Sequence, residues 1–139
     1  MAVSPHAPRK TILVVEDSPP MLALVLEILE RADFAVLAAA NAGEAIDIAE
    51  RVKVIDLLLS DVMMPDMSGP ALAAKLKELR RDMHVILMSG YAGGEMLVLN
   101  HGWHFIQKPF FPVQLVEKIN EALSSEVRDQ ATDRFDTRS

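Results

Sequence analysis

Five polar residues close short apolar runs in this chain. Glu16 and Asp17 follow "TILVV", Asp61 ends "IDLLLSD", Ser89 ends "HVILMS", and Lys108 ends "WHFIQK". A carboxylate at the end of a buried-looking strand is costly unless something pairs with it, so Asp61 needs a partner. Three carboxylates brought together without a cation would repel one another and drive proton uptake. Clustered oxygen donors suit a small hard cation, and Mg²⁺ takes one or two carboxylates and a phosphate oxygen while keeping some waters. A lysine ammonium and a serine hydroxyl on the other side suit an anion, as point charge and as hydrogen-bond donor. Together these groups describe a site for a phosphoryl group beside Mg²⁺. Asp61, alone on its strand, is the candidate nucleophile, and its product is an aspartyl phosphate. With the metal neutralising the transferring oxygens, little further chemistry is required of the protein.

The elements that must position these groups alternate along the chain. "TILVV" reads as a buried strand, and Asp17 and Ser18 before Pro19 and Pro20 signal a helix from about Pro20 to Ala32, with Leu22, Val25, Leu26 and Leu29 inward. "FAVLAAA" is the second strand, and Asn41 caps the helix "AGEAIDIAERV", whose inner stripe is Ala45, Ile48 and Ala49. "IDLLLSD" is the third strand. The helix of "SGPALAAKLKELRRD" turns Leu72, Leu76 and Leu79 inward, and "HVILMS" is the fourth strand. After "GYAGG" and a short segment "EMLVLN", "WHFIQK" gives the fifth strand. "PVQLVEKINEALSS" closes the domain as a helix with Val113, Val116, Ile119 and Leu123 inward. Five strands alternating with five helical segments imply parallel βαβ units in a doubly wound α/β sheet. Such a sheet gathers its strand ends, and with them the five polar residues, on one edge.

A chain of 139 residues, half of them apolar, has room for one domain, over residues 10–124, between expected flexible tails at 1–9 and 125–139. A net charge of −6 argues against binding nucleic acid through phosphate neutralisation. The absence of cysteine excludes disulfides, thiolate metal sites and cysteine catalysis, and fits a cytoplasmic protein. "MAVSPHAPRK" lacks the apolar centre of a signal peptide, and Glu27 and Glu30 interrupt the most apolar helix, so no membrane insertion is expected.

From about Thr11 to Leu123 the chain resembles the receiver domain of two-component response regulators. "VVED" matches the acidic pair of that family, "LLLSDVMMPDMSG" its phosphoacceptor segment, "ILMSG" its switch hydroxyl and "FIQKPF" its Lys-Pro motif. The resemblance implies a CheY-like, flavodoxin-like sheet of strand order 2-1-3-4-5. It implies that Asp61 accepts phosphate, and that Asp17, Asp61 and the main-chain carbonyl of Met63 bind Mg²⁺, with Glu16 acting through a bound water. Ser89 and Lys108 would hold the phosphoryl group, and Phe105 takes the place of the aromatic switch. Pro65 and Gly69 fit the tight loop after the phosphoacceptor, Gly69 permitting a turn, and Pro109 completes the Lys-Pro motif. The implied donor is a histidine kinase or histidine phosphotransfer protein; the output is a change in binding to an unidentified downstream protein by a monomer or weak homodimer. The interval from Ser89 to Lys108 is shorter than the family norm by roughly one helical turn, so a truncated or irregular helix is expected there. "MSGYA" with "FIQKPF" also resembles the receivers of hybrid histidine kinases.

Other readings stand beside these. Asp17 could serve as the N-cap of the first helix, and Phe105 could be a core residue rather than a switch. Asp66 reads as a solvated turn residue. Bulky Met63 and Tyr91 beside the site would hinder the hydrolytic water, giving slow autodephosphorylation. His6, His84, His101 and His104 share no ligand spacing. An aspartyl-phosphate phosphatase would want a second acid two residues after Asp61, where Met63 stands, and an FMN carrier would not place "EDSPP" after the first strand. A phosphate-independent interaction module of the same fold is a further alternative.

Overall fold

The computed structural model describes residues 9–90 and 102–125. Its elements are β1 (Thr11–Val15), α1 (Pro19–Arg31), β2 (Ala35–Ala39), α2 (Ala42–Arg51), β3 (Leu57–Asp61), α3 (Gly69–Leu79), β4 (His84–Ser89), β5 (His104–Gln107) and α4 (Pro112–Ser124). The five strands form one parallel sheet in the order β2-β1-β3-β4-β5. The expected helical segment between Ser89 and Lys108, with residues 91–94 of "GYAGG", Tyr91 among them, and with His101, falls outside the described residues, as do 1–8 and 126–139 and, with them, nearly all of both expected tails.

Both faces of the sheet are covered, which is why the central strands read as unbroken apolar runs. Leu13, Val15, Leu58, Val85 and Leu87 face α2 and α3, where Ala45, Leu72 and Leu76 meet them. Ile12, Val14, Leu57, Leu59, Ile86 and Met88 face α1 and α4, where Val25, Leu29, Leu115 and Ile119 meet them. Successive side chains of a strand point to opposite faces, so each run feeds both layers.

Two inward stripes need correction. Leu79 is exposed because it is the last residue of α3, at the rim of the stripe that Leu72, Ala73 and Leu76 bury. Val113 is also exposed; the buried positions of α4 are Leu115, Ile119 and Ala122, and a residue two before Leu115 lies on nearly the opposite side of a helix. The second strand starts at Ala35, not Phe34, because Asp33 with φ 72° makes the turn out of α1.

At the sheet edge where the strands begin, charged side chains tie off main-chain ends. Thr11 N–H donates to Asp56 Oδ2 (2.7 Å). The Arg80 guanidinium, just past α3, donates to the carbonyls of Ala49 (2.9 Å), Lys53 (3.0 Å) and Val52 at the end of α2. Those carbonyls lack intrahelical partners, so Arg80 clamps the end of α2 to that of α3.

Candidate functional site at the strand ends

β1 is flanked by β2 and β3, so strand order reverses there and a crevice opens at the carboxyl edge. Glu16 and Asp17 leave β1 on one side of it, and Asp61 ends β3 on the other. One carboxylate oxygen from each of the three lies within 4.8 Å of the others. Glu16 is almost wholly buried, at 1% exposure, whereas Asp17 is exposed. Ser18, not Asp17, is the N-cap of α1, its hydroxyl accepting from Met21 N–H (3.5 Å). The capping alternative for Asp17 is thereby set aside, and its carboxylate remains with the cluster.

Lys108, directly after β5, reaches back across the sheet edge. Its Nζ donates to Glu16 Oε1 (2.7 Å) and Asp61 Oδ2 (3.2 Å). Burial opposes its charged form, but the hydrogen bond to Glu16 and the fields of Asp61 and Glu16 outweigh that and hold its pKa above the ordinary 10.5. Lys108 N–H also donates to the Ser89 carbonyl (2.8 Å), and the Lys108–Pro109 peptide is cis. Ser89 ends β4, is 1% exposed, and pairs in register with Gln107. Asp61, Ser89 and Lys108 thus come from three adjacent strands.

Among the described residues, three carboxylates face the one ammonium of Lys108, and all the donors of the cluster are oxygens. That charge deficit and hardness match a divalent cation such as Mg²⁺.

The loop after Asp61 is shaped by crowding. A Cβ on Gly69 would sit 2.3 Å from the Asp61 carbonyl oxygen. Gly69 is therefore required by close approach to the main chain of Asp61, and not by the turn expected from sequence. Met63 is 56% exposed. Pro65 and Pro109 are exposed, in the loops after Asp61 and Lys108. Phe105, register partner of Leu87, is half-buried against the layer that α2 and α3 cover, so it packs on the core in this conformation.

Two contributors escaped the sequence. Ser60 is fully buried, its hydroxyl donating to the Asp61 carbonyl (2.9 Å) with Met64 Sδ at 3.8 Å. Its signal was a lone polar residue inside "LLLSD". Asp66 is exposed, as expected, yet its carboxylate accepts from Ala42 N–H (3.2 Å) and Gly43 N–H (3.0 Å). No local spacing could have shown a contact across 24 residues.

A family model described as response regulator receiver domain matches residues 12–120. The sensor kinase CckA of Brucella abortus (strain 2308) is 32% identical over 84% of this chain, which spans 13% of that protein's length. Among solved structures, a CheY-like response regulator receiver domain protein from Methanospirillum hungatei JF-1 is 38% identical with a TM-score of 0.77, over 84% of this chain and 94% of that one. The receiver domain of the hybrid histidine kinase CckA is 34% identical with a TM-score of 0.71, over 82% and 99% of the two chains.

Proposed function

Since the chain belongs to the response regulator receiver domains of two-component signalling, we propose that Asp61 is its phosphoacceptor and that Glu16, Asp17, Asp61 and the Met63 carbonyl hold Mg²⁺, Glu16 through a water. The observation that carries this is the Lys108 ammonium, which bridges Glu16 and Asp61 within a cluster of three carboxylates. Mg²⁺, when bound, neutralises charge on the transferring phosphoryl group and on the carboxylates around it.

One Asp61 oxygen attacks the phosphorus of a phosphohistidine on a histidine kinase or phosphotransfer protein. A P–O bond forms to Asp61, the P–N bond breaks, and its electron pair leaves with the imidazole. Lys108 pairs with the new phosphoryl oxygens, and the Ser89 hydroxyl donates to one of them. Because Ser89 and Lys108 end adjacent strands, both interactions draw the loops after β4 and β5 toward the site, a population shift that a downstream protein reads. Phe105, on β5 three residues before Lys108 and in register with Leu87, is placed to follow that movement. The chain is a phosphoacceptor and not an enzyme turning over a free substrate, and water returns Asp61 to its starting state.

Acetyl phosphate with and without Mg²⁺, followed by intact mass of wild type and Asp61→Asn, tests this. A phosphate-sized gain that requires both Mg²⁺ and Asp61 is expected; a gain that survives Asp61→Asn would remove Asp61 from the role.

A further inference from the structure

Residues 62–69, which carry Met63, form a loop fastened at its base and at its tip. At the base, Val62 N–H donates to the Met88 carbonyl (2.8 Å) and Gly69 N–H to the Val62 carbonyl (2.7 Å). At the tip, Asp66 spreads its carboxylate over the first turn of α2, Oδ1 accepting from Ala42 N–H and Oδ2 from Gly43 N–H. These two bonds hold the Asp66 carboxyl below the ordinary 3.8.

The link closes a ring. Glu16 N–H donates to the carbonyl of Ala39 (3.1 Å), the last residue of β2. Two residues on, Asn41 caps α2, and α2 binds Asp66. The chain from Asp66 leads back through Met63 to Asp61, whose carboxylate meets that of Glu16. Glu16, Asp61 and Met63 lie on this ring, and Asp17 directly follows Glu16.

The local cap of α2 is made without Asp66, which takes the N–H groups of Ala42 and Gly43 that this cap leaves open. Asn41 Oδ1 already accepts from Glu44 N–H (2.9 Å), and Glu44 Oε1 accepts from Ala40 N–H (2.7 Å), a reciprocal arrangement made within five residues. Asp66 is exposed and shields no core. What it adds is a connection between two loops.

We propose that Asp66 is a positioning residue for the metal: by fastening the loop to α2 it sets the Met63 carbonyl against the carboxylates, and it makes cation affinity and the order of the first turn of α2 one coupled property. This rests on the assignment of Mg²⁺ to the carboxylate cluster. Coupling is reciprocal, so whatever the link contributes to metal binding, bound metal returns to the link.

The test is calorimetric Mg²⁺ titration of wild type, Asp66→Ala and Glu44→Ala, with amide hydrogen exchange at Ala42 and Gly43 in wild type with and without Mg²⁺. Asp66→Ala should bind Mg²⁺ at least about fivefold more weakly, while Glu44→Ala, which loses a bond internal to the β2–α2 turn, should change affinity by less than about twofold. Mg²⁺ should slow exchange of both amides in wild type. Unchanged affinity in Asp66→Ala overturns the proposal even if its melting temperature falls, since that is the behaviour of a purely structural cap. Should Asp66→Ala not fold, the exchange measurement decides: amides indifferent to Mg²⁺ overturn the proposal. A wild type that binds no Mg²⁺ overturns the underlying metal assignment instead.

Discussion

A methyl group on Gly69 has nowhere to go, because the carbonyl it would strike belongs to Asp61 itself and to main chain that β3 holds in place. Gly69→Ala is therefore expected to destabilise the protein by about 1–3 kcal/mol, measured as a lower urea midpoint at unchanged slope, and to reduce labelling of Asp61 by acetyl phosphate. The sequence signals a glycine before a helix, which reads as a turn; that the same residue abuts the main chain of Asp61 is a tertiary fact. Glu16, Asp17, Asp61, Ser89 and Lys108 were legible because each ends an apolar run, and a parallel sheet puts such ends side by side. The role of Asp66 was not legible, since a solvated turn aspartate and a loop tether have the same local sequence.

Among the elements, α2 and α3 are joined at one end by Arg80 and at the other, through the loop before α3, by Asp66. Arg80→Ala should free the last carbonyls of α2 and cost about 1.5–3 kcal/mol, as expected for hydrogen bonds from a charged donor. Thermal or urea unfolding would check this, and a loss below a few tenths would mean that water replaces the clamp. The existence and order of the four described helices followed from 3.6-residue periodicity, and the N-cap of α2 from Asn41. Which apolar residues face inward was less secure at helix ends. Leu79 and Val113 sit in the last and first turns of their helices, where the stripe runs past the sheet and side chains meet solvent.

For the molecule as a whole, two half-buried histidines at the starts of β4 and β5 give stability a pH dependence. Burial lowers the His84 pKa below 6.5, with Lys77, His104 and Lys10 adding to the shift and Asp56 opposing it. Burial also lowers that of His104, which Glu121 opposes and Lys118 assists. Both imidazoles bind fewer protons in the fold than in the unfolded chain. Their contribution is therefore full above 6.5 and is lost as pH falls through that value toward the lowered folded pKa. The urea midpoint should drop between about pH 7.5 and pH 5.5, and His84→Gln with His104→Gln should flatten that drop; an unchanged drop would assign it to the carboxylates. The alternation of strands and helices fixes the layers and the parallel sheet from sequence alone, because a right-handed crossover leaves few alternatives. The pairing of charges across the sheet edge does not follow from alternation and needs the folded chain.

The bridge from Lys108 to Glu16 spans 92 residues, and it has a consequence for the protein during its synthesis. At about 5–20 residues per second, a ribosome that has just placed Glu16 reaches Lys108 only on the order of 5–20 s later. Through that interval the nascent chain carries Glu16, Asp17 and in due course Asp61 without the ammonium that pairs with two of them. A chain stalled between residues 61 and 108 holds every carboxylate of the cluster and not the ammonium that bridges two of them.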